Sequence, residues 1–336
     1  MKILMNCSLP FGLAHGGHAI QIQQTMAGLQ RIGVAVEPLR WWDETQTGDV
    51  IHFVGRMPAE HIRFAHQKKI KVVMTELLTG AGSRSAWQLH CQRLTARAIA
   101  RLMPRSFTAA FNWDSYQLAD AFAANTPWEK HLMEFMFGAA PEKTFVVPNG
   151  VEDIFFPAQA VPRGPWLVCT ATIAVRKRVL ELAQAAVAAQ TPVWIIGRAY
   201  SEDDAYARKF FALAKENPNW LRYEGAISGR AELAKAYQSA RGFVLLSTME
   251  TRSLSAEEAA AAGCPLLLSD LPWAHGTFPE GAQFCPVTDS VSATAAALRR
   301  FYDVAPQLPP PPKPATWTDV ARQLVAIYER TLATRQ

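Results

Sequence analysis

Apolar positions along this chain cluster in short, nearly unbroken runs separated by stretches of helical period. Residues 2–7 (KILMNC) form the first run, which ends toward the Gly16-Gly17 turn. A helix-period stretch follows from about Ile20 to Arg31, and then a second run near Val34–Glu37. Further runs at Val50–Val54, Lys71–Thr75 and Phe145–Val147 alternate with helical or turn-rich segments. That rhythm predicts a parallel sheet with helices on both faces.

The pattern then restarts. Trp166–Thr170, Val193–Ile196, Trp220–Tyr223, Phe243–Leu246 and Pro265–Leu268 read as strands, alternating with helices near 178–189, 203–216, 230–240 and 255–262. The fold class expected is therefore α/β, with two doubly wound, Rossmann-like units. Asn149-Gly150-Val151 and the stretch Phe155–Pro165, with Pro157, Pro162 and Pro165, form a stiff, helix-poor connector. The expected domains are 1–155, 156–314 and a closing helix over 315–336. Leu308–Pro314, with five prolines, reads as a spacer into an amphipathic helix from about Thr318 to Leu332, which is expected to return to the first domain.

The chain has 336 residues, and single cores stop growing at roughly 250–300, so length also favours two domains with a ligand site in the cleft between them. With 49% hydrophobic and 19% charged residues, a disordered chain is excluded. No apolar run approaches the roughly 20 residues of a membrane span, and the start is too short for a signal-peptide core, so a cytoplasmic location is expected. Five cysteines without a C-x-x-C pairing suggest buried thiols rather than a disulfide framework or a zinc site. The formal charge of +5 is too small to indicate nucleic acid. Its distribution is uneven, because between Arg56 and Arg105 only Glu60 and Glu76 oppose a long series of Lys and Arg.

The most informative segment runs from Phe243 to Pro265. A buried strand delivers Glu250 at its carboxyl end, a tight loop follows, and a helix beginning near Ser255 carries Glu258 in its first turn. Ligands of open α/β sheets bind beyond the carboxyl ends of strands, and helix N-termini offer free N–H groups to phosphate. Amides near Arg252, Ser253 and Leu254 suit a diphosphate, and Glu258 suits sugar hydroxyls. Ser255 followed by Glu258 also fits a capping box, in which the glutamate merely satisfies the Ser255 N–H.

The offsets Glu250, Glu258, Ala259, Gly263 and Pro265 fit E-x-x-x-x-x-x-x-E followed by A-x-x-x-G-x-P. In this the chain resembles the retaining GT-B glycosyltransferases of the large fourth family. The likeness extends to the Gly16-Gly17 loop, to Val147-Pro148-Asn149-Gly150-Val151, to Ile195-Ile196-Gly197, to Tyr223–Ile227, and to Trp317 and Tyr328 in the closing helix. It implies a UDP- or GDP-sugar donor held mainly by the second domain, a glycan or lipid-linked acceptor on the first, and transfer with retention. No cofactor or metal is implied. By this likeness Lys177 neutralises the leaving phosphates, Glu250 holds donor-sugar hydroxyls, Glu258 the ribose, and Gly197 and Ile227 the nucleoside side. Gly16 and Gly17 admit the diphosphate backbone-close.

Two departures shape the expectations. Ala171-Thr172 stand where the family has G-R, so Arg252 is expected to supply the missing phosphate-binding charge, with Arg176 or Arg178 behind it. Glu76-Leu77 stand where relatives carry a histidine, leaving Glu76, His15 and His18 as acceptor-side candidates. Arg93, Arg97, Arg101 and Arg105 recur at every fourth position beside Trp87, Cys91, Leu94, Ala98 and Leu102. Such a cationic edge bordering an apolar one suits an anionic membrane surface and a cell-surface polysaccharide or lipopolysaccharide acceptor. The alternatives are a GT-B sugar epimerase and a nucleotide-sugar-binding protein with a decayed site. A nicotinamide enzyme is disfavoured, since no G-x-G-x-x-G follows the first strand.

Overall fold

Two six-stranded sheets, parallel throughout, organise the chain. The computed structural model describes residues 1–7, 17–82, 84–104, 111–159 and 161–334. It divides into one unit of Met1–Gly150 with Ala315–Gln336 and a second of Val151–Pro314.

The strands of the first unit are β1 (Lys2–Cys7), β2 (Ala35–Pro38), β3 (Val50–Val54), β4 (Lys71–Thr75), β5 (Ala121–Ala124) and β6 (Thr144–Val146), in the order β2-β1-β3-β4-β5-β6. Its longer helices, before the closing one, are α1 (Gly17–Arg31), α2 (Ala59–Gln67), α3 (Ala86–Leu102) and α4 (Pro127–Phe137). All five residues of β3 are buried, as befits a strand covered on both faces. β5, of sequence AFAA, is a strand that the hydrophobic pattern did not single out. Alanine has little β preference, and this strand exists because β4 and β6 pair with it on either side.

In the second unit β7 (Leu167–Thr170), β8 (Val193–Ile196), β9 (Leu221–Tyr223), β10 (Gly242–Leu245), β11 (Leu266–Ser269) and β12 (Ala282–Cys285) run in the order β12-β11-β10-β7-β8-β9. The helices are α5 (Val179–Ala188), α6 (Ala205–Glu216), α7 (Arg230–Ser239), α8 (Leu254–Ala261) and α9 (Val291–Val304). β12 (AQFC) also escaped the pattern, being a half-exposed edge strand. From β7 the chain moves to β8 on one side, and from β10 to β11 on the other. The sheet's topological switch thus lies between β7 and β10, where ligands of open α/β sheets bind.

The closing helix α10 (Trp317–Ala333) belongs to the first unit. Thr316 and Asp319 form a reciprocal capping box that fixes its start. Glycines let it come close: a Cβ on Gly28 would stand 2.7 Å from the Trp317 carbonyl oxygen, and one on Gly150 would stand 2.6 Å from the Trp317 nitrogen. At the other end the Tyr328 hydroxyl lies 2.6 Å from His52 Nδ1, and His52 Nε2 lies 2.8 Å from Thr75 Oγ1. Burial pushes the His52 imidazole down to about 4, so the ring is neutral, with one nitrogen donating and the other accepting. Tyr328→Phe leaves one side of that buried ring unpaired. It should cost about 1–3 kcal/mol in a urea unfolding titration.

Candidate functional site

The site is built at the switch between β7 and β10. β7 ends at Thr170, and the chain returns through the 3-10 turn Val175–Lys177 before α5. The loop after β10 meets that turn along its backbone: Thr248 N–H donates to the Arg176 carbonyl at 2.8 Å, and the Ser247 and Thr248 hydroxyls donate to the same oxygen. Fastened together, the two loops bring Lys177 onto Glu250. Lys177 Nζ donates to Glu250 Oε1, and both side chains are largely buried. Arg176 Nη1 lies 3.7 Å from the same oxygen and stays half exposed. Arg178 takes a left-handed conformation (φ 52°) and turns away, donating to the Thr288 carbonyl and lying 3.7 Å from Asp289.

Helix α8 starts at Leu254, one residue earlier than expected, so Glu258 stands in its second turn and Glu257 in its first. The cap is Ser253, whose side chain accepts from Ala256 N–H at 3.4 Å. Ser255 is therefore not the cap, and Glu258 serves no capping box. Ser253 satisfies the third and fourth amides of the helix through its hydroxyl and carbonyl, and the Leu254 and Ser255 N–H groups have no bond among the described residues.

Glu258 finds its partners across the unit. Arg230 Nη2 donates to its Oε1 at 2.5 Å, and the Tyr237 hydroxyl donates to its Oε2 at 3.3 Å. Arg230 also grips Glu152 through Nε at 2.7 Å, with its guanidinium 4.7 Å from the Phe155 ring. Burial raises the Glu258 carboxyl above its ordinary range, and Arg230 opposes that shift. Sequence reasoning missed Arg230, Tyr237 and Glu152, because nothing local marks the partner of the first two 28 and 21 residues downstream, nor that of Glu152 78 residues downstream.

Arg252 is held by a partner that the sequence did not reveal. Its Nε donates to Glu257 Oε1 at 2.5 Å, and Glu257 is fully buried with its Oε2 unpaired among the described residues. The grip uses Nε and leaves the two terminal nitrogens of Arg252 without a bond among the described residues. Burial pushes the Glu257 carboxyl up to about 7, with Arg252 pulling it down and Glu258 pushing it further up. Gly197 is required by backbone contact, since a Cβ there would fall 1.9 Å from the Ala171 carbonyl oxygen. Ile227 packs on the core of the unit.

In the first unit Glu76 follows β4 with both oxygens engaged. Arg56 donates through Nε (3.1 Å) and Nη2 (2.9 Å), the Tyr116 hydroxyl donates to Oε2, and the Arg56 guanidinium lies 4.3 Å from the Phe137 ring. His18 is half-buried in α1, its Nε2 is unpaired among the described residues, and burial lowers its pKa. Gly17 opens α1 and is exposed. Gly16, His15 and Arg105 lie outside the described residues. On α3 only Leu89 is buried. Trp87 (75% exposed), Leu94 (66%) and Leu102 (80%) face solvent, as do Arg97 and Arg101. Arg93 departs from the expected stripe because its guanidinium packs 4.2 Å from the Phe135 ring. No helix among the described residues is long and apolar enough to cross a membrane.

Residues 164–303 match the family described as Glycosyl transferases group 1. No curated protein matches the chain. Among solved structures, the chain is similar to sucrose-phosphate synthase from Thermosynechococcus elongatus, at 17% identity and a TM-score of 0.72, covering 100% of both chains. It is similar to a glycosyltransferase from Rickettsia africae, at 13% identity and a TM-score of 0.67, covering 99% of both. It is also similar to Anabaena HepE in complex with UDP-glucose, at 12% identity and a TM-score of 0.64, covering 99% of both. The shared fold is GT-B.

The raised Glu257 carboxyl gives a signed pH effect. Its folded-state pKa exceeds the ordinary value, so its contribution is full below about pH 4.5 and is lost as pH rises through about 7. Between pH 5 and pH 8 the unfolding free energy should fall by roughly 3 kcal/mol relative to Glu257→Gln, read from denaturant titrations of both proteins.

Proposed function

Because residues 164–303 match the family described as Glycosyl transferases group 1 and the chain has the GT-B fold, we propose that it transfers a glycosyl residue from a nucleoside diphosphate sugar to a glycan or lipid-linked acceptor, with retention. The observation that carries this reading is the Lys177–Glu250 pair at the β7/β10 switch, with Arg176 beside it and the open amides of α8 close by in sequence. A departing diphosphate develops negative charge, and fixed cations and amides aimed at it stabilise the transition state without needing a divalent ion. In this reading Lys177 meets the phosphates while Glu250 orients it and accepts from donor-sugar hydroxyls. Glu258, set by Arg230 and Tyr237, accepts from the ribose. Arg252, gripped through Nε, offers its terminal nitrogens to the diphosphate in place of the arginine missing at Thr172.

The bond from the anomeric carbon to the diphosphate oxygen breaks while the acceptor oxygen bonds to the same face of that carbon. The acceptor proton passes to the leaving phosphate oxygen. UDP is the preferred nucleotide in this reading, which the likeness to a UDP-glucose complex of HepE supports. The exposed Trp87, Leu94 and Leu102 beside Arg97 and Arg101 favour an acceptor displayed at an anionic membrane surface, in polysaccharide or lipopolysaccharide assembly.

A thermal-shift screen of UDP-, GDP-, ADP- and CMP-sugars tests the donor. A true donor at 100 times its Kd adds about 2.7 kcal/mol of stability, and no shift with any of them overturns the reading. Lys177→Ala should lower kcat about 100- to 1,000-fold in donor turnover, with a smaller change in donor affinity. Arg252→Ala should weaken donor binding about 10-fold or more, as expected for a lost charged contact. Cosedimentation with vesicles should rise with phosphatidylglycerol content and fall with salt, and Arg97→Glu with Arg101→Glu should abolish it.

A further inference from the structure

The first sheet has a switch of its own. β1 lies between β2 and β3, so the loops after β2 and after β3 leave the carboxyl edge on either side of it. Those two loops are joined by an aromatic contact. Trp41 stands three residues beyond β2, His61 stands in the first turn of α2 after β3, and their ring centroids are 4.8 Å apart. Beside them Trp42 is 82% exposed.

The segment that carries these indoles is firmly held. Arg40 donates to Asp43 through Nε at 3.0 Å and pairs with Glu37 at 3.6 Å. Gln46 Oε1 accepts from Arg40 N–H at 2.7 Å, and its Nε2 donates to Glu37 at 2.9 Å and to the Pro38 carbonyl at 3.0 Å. Thr45 donates to Asp43 through both its amide and its hydroxyl. A loop this fully bonded does not place a large apolar ring in water by slackness. A solvated Trp42 forgoes the burial free energy of one of the largest side chains, and with Trp41 (45% exposed) next to it the loop offers two indoles to solvent.

Charge narrows what such a surface could meet. The cations bonded to this segment and in the first turns of α2 are committed: Lys2 to Glu37, Arg40 to Glu37 and Asp43, and Arg63 to Glu60. Glu44 adds a further exposed carboxylate. An anionic headgroup or a phosphorylated ligand finds no free cation among these groups, in contrast to α3 with Arg97 and Arg101. A neutral pyranose fits on both counts. Its axial C–H face is apolar and packs flat on an indole face, and its hydroxyl rim donates to carboxylate oxygens.

We propose that Trp41 and Trp42, braced by His61 and rimmed by Glu44, form a stacking platform for an uncharged sugar ring of the acceptor glycan. The role in transfer rests on the glycosyltransferase reading, whereas sugar binding at the platform does not.

The test uses the full chain and an array of immobilised oligosaccharides containing maltotriose, cellotriose and other neutral trimers, with tri-galacturonate as the acidic comparison. UDP thermal shift is measured in parallel. At least one neutral trimer should bind more tightly than tri-galacturonate, Trp42→Ala should weaken it 10-fold or more, and Trp42→Tyr should restore most of the loss. Trp42 is solvent-exposed, so the melting temperature should stay unchanged and folding is not at issue. Binding by no neutral trimer, equal binding by Trp42→Ala, or preference for tri-galacturonate each overturns the platform. A UDP shift without neutral-sugar binding overturns the platform alone. Platform binding lost in Trp42→Ala, with no nucleotide shift, supports the platform and overturns the donor reading instead.

Discussion

A carboxylate taken out of water must meet a cation, and the region around the β7/β10 switch is arranged to satisfy that requirement three times within nine residues. Glu250 receives Lys177 from the turn after β7, Glu257 receives Arg252 from its own loop, and Glu258 receives Arg230 from α7. Each lone buried carboxylate would cost several kcal/mol, so each cation is fixed in place by the penalty of leaving. The outcome is a set of charged groups whose positions are set before any ligand arrives. Such preorganisation is what electrostatic stabilisation of a transition state requires, since no reorganisation remains to be done at the moment of reaction.

The first unit obeys the same rule with a different result. Glu76 receives Arg56 Nε and the Tyr116 hydroxyl on Oε2 and Arg56 Nη2 on Oε1, so three internal bonds hold it. It braces the loop after β4 against the aromatic layer of Tyr116, Phe122 and Phe137. Glu258 accepts one bond on each oxygen, so each keeps a lone pair to spare, whereas Glu76 keeps one on Oε1 alone.

Much of the architecture was legible because strands of a doubly covered parallel sheet must be apolar throughout, and runs such as VIHFV and LLLS announce this directly. β5 and β12 were not legible, since AFAA is mostly alanine, which has little β preference, and AQFC is a half-exposed edge strand interrupted by a polar residue. At the site, the spacing of Glu250 and Glu258 is written in the chain, but their partners are not. Ser255 imitates a cap because Glu258 follows at the right interval. Ser253 caps instead, and Glu258 reaches a residue 28 positions away. Local rules cannot see an ion pair between α7 and α8, nor that Arg93 prefers a phenyl face to the solvent edge its spacing assigns it.

The course of α10 has a consequence for biosynthesis. The second unit, Val151–Pro314, is contiguous and holds its whole core within itself. The first unit needs Tyr328 for His52 and Trp317 against Gly28 and Gly150. Its strands are translated before the second unit, yet these buried contacts cannot form until translation has passed residue 328, by which point all of Val151–Pro314 has been made. The nascent first unit therefore depends on α10, and until that helix is made α1 keeps an uncovered strip.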